Sequence, residues 1–524
     1  MPEVAPAGAR RLPSLRLTPV ARASLLIAAL FAIDKPLDIL RQILIGRQFG
    51  VGPELDAFNA ANNLPDLLRA LITGGALALA LIPVLSEVLQ RQGRPALWTL
   101  FSRVANLAFG VTAALAALVA VFAEPIVGAE WGIAPGFSPE GRRLVVELMR
   151  LNLAAMFLFS VSGLLTSGLQ ANQHFFLPAL APIVYDLGQI AGALVLAPAA
   201  GHTFAGLQLP GFGLGVHGLV YGVILGAALH AAVQLPGLAR FGFRWSPAFS
   251  LRDAGLRQVL ALMGPRLVTI GAFQLMFVFQ DNLASRLEAG AVTALTYGWL
   301  IMQFPETLIG TALGTALLPT LSDQFARGDS AGFTQSVERA LRVLLALTLP
   351  AAALLAVSVA PLVSAAFAFD QAGTALVALA TRGFLIGLVG HAWLEILARA
   401  FFARLEARPP LAARLANSLI FFGLGLVFLR PLGVFGITLA SSLGFTLETA
   451  VLFLLLQRAC PEIRRSWSTL PRTVAGSILG AALAYAAMAW LPMAILPSTL
   501  VGLVVGGATT LAFVLPEIRE LRRL

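Results

Sequence analysis

Charge is scarce in this chain, and lysine almost absent. Of 524 residues only 12% are charged, and of the 36 basic residues a single one, Lys35, is lysine. Soluble domains carry about 25% charged residues. With 58% hydrophobic residues and a mean hydropathy of +0.85, an ordinary soluble globular domain is excluded. The single cysteine, Cys460, excludes an intrachain disulfide framework and cysteine-rich metal sites. The five histidines show no metal-ligand spacing, so no metal is expected. No GxxxxGK[ST] loop occurs, and Lys35 lies in no such context, which excludes ATP-driven transport by this chain alone. No nucleophile–base constellation stands out, so neither an enzyme nor a cofactor is expected. Residues 1–22 are rich in Pro, Ala and Arg and lack an apolar core with a cleavage site. They are read as a disordered cytoplasmic tail, not a signal peptide.

What is abundant is apolar sequence threaded with 49 glycines and 31 prolines. Bilayer helices tolerate both residues better than soluble helices do. A transmembrane helix needs roughly 20 mostly apolar residues, and fourteen apolar segments can be marked between residues 23 and 516. The expected fold is an all-α, polytopic membrane protein of about 14 transmembrane helices. The net charge of +10 would suggest nucleic acid in a soluble protein. Here the arginines cluster in alternate loops, so orientation in the bilayer is the better reading and no nucleic acid is expected. Arg91, Arg94, Arg240, Arg244, Arg327, Arg404, Arg464 and Arg465 fall on the same side as the arginines of both termini. The other side holds Arg47, Arg142, Arg143, Arg286, Arg382 and Arg430. By the positive-inside rule both termini are cytoplasmic.

The sequence also repeats. Leu81-Ile82-Pro83-Val84-Leu85-Ser86-Glu87 recurs as Leu317-Leu318-Pro319-Thr320-Leu321-Ser322-Asp323, and Leu64-Pro65 is answered by Phe304-Pro305. These positions fall on the second and eighth segments, which run in the same direction. Two parallel six-helix pseudo-repeats are therefore expected, plus two C-terminal helices outside the duplication, forming lobes around a cavity. The boundaries follow: N-lobe 23–238, cytoplasmic linker 239–257, C-lobe 258–460, and 461–524 for the last two helices and a short tail.

Ionisable residues within the hydrocarbon are costly and face a cavity or a partner. The first segment carries Asp34, Lys35, Asp38 and Arg41 around Pro36, with Asp34, Asp38 and Arg41 on one helix face. Pro36 removes a backbone donor and disfavours a straight helix. The second segment has a polar stripe at Asn59, Asn62, Asp66, Arg69 and Thr73, spaced 3, 4, 3, 4, one face of a helix. The stripe must line a bundle interior or a wet cavity. A guanidinium there fits a phosphate with two parallel bonds. The C-lobe offers Gln303 and Glu306 beside Pro305, Gln274 and Asp281, an i,i+4 pair Glu395–Arg399, and lone carboxylates at Asp186 and Glu448.

The stretch Arg41-Gln42-Ile43-Leu44-Ile45-Gly46-Arg47-Gln48-Phe49-Gly50, then Asp56-Ala57-Phe58, then Leu64-Pro65-Asp66-Leu67-Leu68-Arg69, resembles the N-terminal signature of the MurJ/MviN lipid II flippase family. Ala294-Leu295-Thr296-Tyr297, Phe304-Pro305 and Ala400-Phe401-Phe402-Ala403-Arg404 resemble later family blocks. The resemblance implies a two-lobed bundle moving polyprenyl-diphosphate-linked peptidoglycan precursor (lipid II) by alternating access across the bacterial cytoplasmic membrane. It implies Arg41, Arg69 and Lys35 as diphosphate contacts. Asp34, Asp38, Asp56, Asn59, Asn62, Asp66 and Gln303 are expected to line or gate the cavity. The family's helix-8 arginine falls on Leu300, its helix-2 glutamate on Gly74 and a helix-11 asparagine on Gly425. Arg266 is the candidate replacement for the missing arginine. A monomer is expected, with the bilayer and cell-wall synthesis proteins as partners. Two alternatives stay open: a flippase or exporter for another polyprenyl-linked glycan or a small molecule, and a non-transporting scaffold of envelope assembly.

Overall fold

The computed structural model describes residues 19–71, 76–204, 206–250 and 252–520. Thr73, Gly74 and most of the N-terminal tail lie outside the described residues.

The first half of the chain comprises α1 (Pro19–Phe49), α2 (Pro53–Arg69), α3 (Ala76–Val121), the short α4 (Ala123–Gly128), α5 (Pro139–Ala171), α6 (Phe176–Ala191), α7 (Val216–Ala232) and the short α8 (Leu235–Arg240). A small antiparallel hairpin, β1 (His202–Phe204) and β2 (Leu207–Leu209), lies between α6 and α7. The second half comprises α9 (Ala254–Ala284), α10 (Ala291–Pro305), α11 (Ala312–Ala326), α12 (Ser330–Phe367), α13 (Gln371–Ile386), α14 (Leu388–Ala403) and α15 (Arg408–Ala459). The chain ends in α16 (Leu470–Trp490) and α17 (Ile495–Glu520).

Nine described helices are long and apolar enough to cross a membrane, and ten if α13 and α14, bent by 44°, form one span. Helices are what a bilayer demands, because they satisfy every backbone donor within the segment. Their apolar side chains remain outward: Leu454, Val504 and Ile478 are each at least 60% exposed, a surface suited to lipid. The protein is thus an all-α, multi-pass membrane protein.

Local sequence explains the breaks. Within α3 the chain turns at Gly93, whose φ of +81° is a region L side chains avoid. Within α15 it turns at Gly433, φ +54°, two residues after Pro431. Side chains of Ser138, Asp253, Asp329 and Asp370 cap α5, α9, α12 and α13, each accepting from a backbone N–H three residues on, at 2.8–3.0 Å. Pro36 does not interrupt α1, which stays helical through it. The duplicated prolines behave alike: α2 passes after Pro65 into a π turn at 70–71, and α10 passes after Pro305 into one over Glu306–Thr311. Such widened turns admit an extra residue without ending the helix.

Helices pack through small residues where they approach most closely. A Cβ added to Gly188 would lie 2.4 Å from Cα of Gly226, so α6 and α7 meet backbone to backbone, and Gly192, just past α6, meets Gly222 in the same way. The carboxylate of Glu517 on α17 meets Arg472 of α16 and, at 3.8 Å, Arg342 of α12. The last two helices are thereby tied to the second half.

One continuous apolar core joins the two halves, bringing Leu55, Ala57 and Phe58 of α2 together with Val292 and Leu295 of α10. A separate core holds Leu81, Leu85, Trp98 and Phe101 of α3 and takes in Leu256 and Val259 from the start of α9. Both clusters thus cross between the halves, the first through α2 and α10 and the second through α3 and α9, and a cavity opens between the halves.

Candidate functional site: a charged cavity between the two halves

The cavity has a volume of about 580 Å³ and is walled by α1, α2, α5, α6, α9 and α10. Each wall delivers polar groups by helical spacing. From α1 come Asp34, Lys35, Asp38, Arg41 and Gln42, and from α2 come Asn59, Asn62, Asn63, Asp66 and Arg69. The polar stripe of the second segment, wherever it is described, thus faces this space. Asn152 of α5, with Tyr185, Asp186 and Gln189 of α6, lines it beside them. The second half contributes Gln280, Asp281, Thr296 and Trp299.

Arg41 sits at the meeting of α1 and α6. Its Nη1 donates to Asp186 Oδ1 at 2.9 Å, and its Nη2 donates to Asp38. Its Nε is buried and makes no hydrogen bond among the described residues. The guanidinium is mostly buried, with 13% of the side chain exposed. Arg69 lies further along the stripe, where Nε donates to Asp66 Oδ1 at 3.1 Å and the guanidinium stacks 5.0 Å above the Phe159 ring. Lys35 is more open, 3.7 Å from Asp38 and 3.9 Å from Asp34. Asn152 donates to Asn62 at 2.7 Å, joining α5 to the stripe. The Tyr297 hydroxyl donates to the Gln42 carbonyl at 3.0 Å and so pins α10 against α1. The lack of a side chain at Gly46 permits this, since a Cβ there would lie 2.9 Å from that hydroxyl.

Beyond the cavity the halves are closed by polar bonds as well as by the shared core. Asp56 of α2 accepts from the N–H of Gly290 at 2.6 Å and from the N–H and hydroxyl of Thr293 at 2.7 and 2.6 Å. It caps α10 from the other half of the protein, satisfying donors that the helix start leaves open. Asn63 donates to Asp281 beside it. Arg47 donates to the carbonyls of Ala366 and Ala365 at 2.7 and 3.1 Å. Arg286 pairs with Glu130 at 2.6 Å.

The structure corrects several sequence expectations. Gln303 is exposed and absent from the cavity wall, where Thr296 and Trp299 stand instead. It lies one turn beyond Trp299, on the same face of α10 but past the last residue that lines the cavity. Asp186 and Glu448 are not lone carboxylates. Asp186 is the partner of Arg41, while Glu448 pairs with Arg414 at 3.2 Å and accepts from Asn417 at 2.7 Å. The Arg414 guanidinium lies 5.2 Å from the ring centre of Phe445 and 5.5 Å from that of Phe273. Glu395 and Arg399 do pair. Leu300 packs against the shared apolar core. The side chain of Arg266 lies outside the described residues. Among the described residues, the cations lining the cavity are Lys35, Arg41 and Arg69. Sequence reasoning passed over Asn63, Asn152, Tyr185 and Gln189. Asn63 and Asn152 carry a legible signal, as amides in otherwise apolar segments.

Comparison with known proteins places this geometry in context. Residues 45–514 match the family model described as "Lipid II flippase MurJ". A relative from Burkholderia cenocepacia, "Lipid II flippase MurJ", is 32% identical over 449 residues, covering 83% of this chain and 84% of its own. Among solved structures, "Lipid II flippase MurJ, inward closed conformation" superposes with a TM-score of 0.76 at 21% identity, covering 95% of this chain and 99% of that one. An inward-facing multidrug resistance transporter of the MATE family, in the MOP superfamily, gives a TM-score of 0.68 at 15% identity, covering 84% of this chain and 99% of that one.

Proposed function

This chain belongs to the lipid II flippase MurJ family, and on that footing we propose that it carries lipid II, a polyprenyl-diphosphate-linked glycan, across the bacterial cytoplasmic membrane by alternating access. The observation that carries the reading is the placement of Arg41 and Arg69 in one cavity to which both halves contribute walls. A diphosphate is a planar-fork target for guanidinium groups, and burial strengthens that attraction relative to water. Lys35, nearer the open, adds a mobile point charge for the same head group. Asp34, Asp38 and Asp66 pair with these cations, and Asn59 and Asn62 line the path beside them. Asp56 acts as a latch rather than as a contact to the substrate.

In this reading the halves are 23–238 and 258–460, joined by the linker 239–257, with α16 and α17 outside them. Fourteen crossings result when α3 and α15 are each divided at their glycine turns, α2 is joined to the first part of α3, α10 to α11, and α13 to α14. Arginine distribution then puts both termini in the cytoplasm, so the Asp56 end faces outward and the conformation is closed to the outside. The protein acts as a monomer, in contact with cell-wall synthesis proteins that supply and consume its substrate.

Complementation tests the reading. In cells depleted of their own lipid II flippase, the wild-type chain restores growth, whereas Arg41→Lys/Arg69→Lys at equal membrane abundance does not. Failure of the correctly inserted wild-type chain, or full rescue by the double variant, overturns it.

A further inference from the structure

Resting on the flippase reading, we propose that Asp186 is a built-in stand-in for the substrate's phosphate: it occupies the Arg41 guanidinium in the empty cavity and is exchanged for the diphosphate at each cycle. Three observations carry this. First, the Arg41 fork is already filled, by Asp186 at 2.9 Å on one nitrogen and Asp38 on another. An end-on bidentate phosphate contact through both Nη atoms must compete with these two carboxylates for the same nitrogens. Second, the two carboxylates differ in attachment. Asp38 is three residues from Arg41 on the same helix, so it travels with the arginine. Asp186 reaches across from α6, 145 residues away in sequence. Third, the remaining Arg41 donor, Nε, is buried and unpaired among the described residues, leaving one hydrogen-bonding position for a further acceptor.

The charges of the cavity point the same way. Asp34, Asp38, Asp66, Asp186 and Asp281 face Lys35, Arg41 and Arg69, so five carboxylates oppose three cations. A site built only to hold an anion tightly would have the opposite balance. An internal competitor weakens binding, and for a carrier that is useful: a head group held too firmly is never released, and binding both sides equally well accelerates nothing. Asp186 would return to Arg41 as the head group departs. The arginine is then never left as an unpaired buried charge, which is a costly state. The residue acts on the substrate through Arg41, and is therefore a positioning residue that sets affinity and release.

The test uses the full-length purified protein in detergent, with farnesyl diphosphate as probe and farnesyl monophosphate as control. Asp186→Asn should bind the diphosphate about tenfold more tightly than wild type, the scale of one charge-assisted bond freed from competition. In vesicles the same variant should show a lower half-saturating lipid II concentration and a lower maximal flipping rate. Asp186→Glu should return both toward wild type. Asp34→Asn removes the same charge from the same cavity but frees Lys35 and not Arg41, and should tighten binding clearly less than Asp186→Asn does. Unchanged or weaker binding by folded Asp186→Asn overturns the proposal, as does equal tightening by Asp34→Asn, which would mean net charge alone is responsible. If wild type binds no polyprenyl diphosphate at all, the flippase reading itself fails, an outcome separate from the others. A thermal unfolding midpoint within a few degrees of wild type qualifies each variant, and Asp186→Ser serves if Asp186→Asn does not fold.

Discussion

Asp56 and Thr293 are joined by two hydrogen bonds, at 2.7 Å from the backbone N–H and 2.6 Å from the hydroxyl, although they belong to opposite halves of the protein. A third, from Gly290, completes the cap of α10. The carboxylate is 1% exposed, so these bonds are not diluted by water. Hydrogen bonds to a charged group contribute about 1.5–3 kcal/mol each. Opening this end must break all of them together with the shared apolar contacts.

The first prediction concerns this latch. Asp56→Ala should shift the population toward a conformation open at this end. Spin labels at the exposed positions Glu54 and Glu288 would report it as a longer distance component. Cys460, the single native cysteine, is buried and can be replaced beforehand. An unchanged distance distribution would mean that the apolar core alone keeps the end shut.

The second concerns the polar centre of the second half. Glu448 is 3% exposed and is the partner of Arg414. Glu448→Gln should cost about 3–5 kcal/mol, because it strands a buried guanidinium. Arg414→Met combined with Glu448→Gln should cost much less than the sum of the single changes. Thermal unfolding of the four proteins checks the cycle. Additive costs would show that the pair does not act as a unit.

A third prediction runs from packing to the cavity. Gly192, in the turn that continues α6, and Gly222 allow that end of α6 to lie directly on α7. Gly192→Val should push the helices apart, cost about 1–3 kcal/mol through overpacking, and move Asp186 away from Arg41. Lowered stability together with altered diphosphate affinity is expected. A stability loss with unchanged affinity would show that the α6 wall yields without moving Asp186.

Topology supplies the fourth. Trp131 and Leu405 are highly exposed, at 76% and 89%, and lie in loops predicted to face opposite sides. With Cys460 replaced, Trp131→Cys should react with a membrane-impermeant maleimide from the outside of intact cells. Leu405→Cys should react only after lysis. The reverse pattern would invert the orientation, and with it the side on which Asp56 closes.

Much of this cavity is legible in the sequence because it is written in helical spacing. Asn59, Asn62, Asp66 and Arg69 recur at intervals of 3 and 4, and a polar stripe in apolar sequence has to face something wet. The first-helix cluster is legible for the same reason, as is the paired behaviour of Pro65 and Pro305. What is not legible is which helix answers each stripe. Asp186 reads as an isolated carboxylate until α6 is laid against α1. Asn63 and Asp281 are 218 residues apart and share no periodicity. The misplacement of Gln303 has a related cause. By its spacing it shares a helix face with Thr296 and Trp299, but it lies a turn past them, and the sequence does not show how far along α10 the cavity lining runs.

The central claim is tested most directly by reconstituting the purified protein in vesicles with lipid-linked glycans of defined head group and following their movement between leaflets. The account predicts that lipid II carried on a diphosphate crosses at a rate that falls at least tenfold in Arg41→Lys, the scale of losing one bidentate contact, while the same glycan on a monophosphate crosses poorly even with wild type. Equal movement of both lipids, or a rate unaffected by Arg41→Lys, would contradict it.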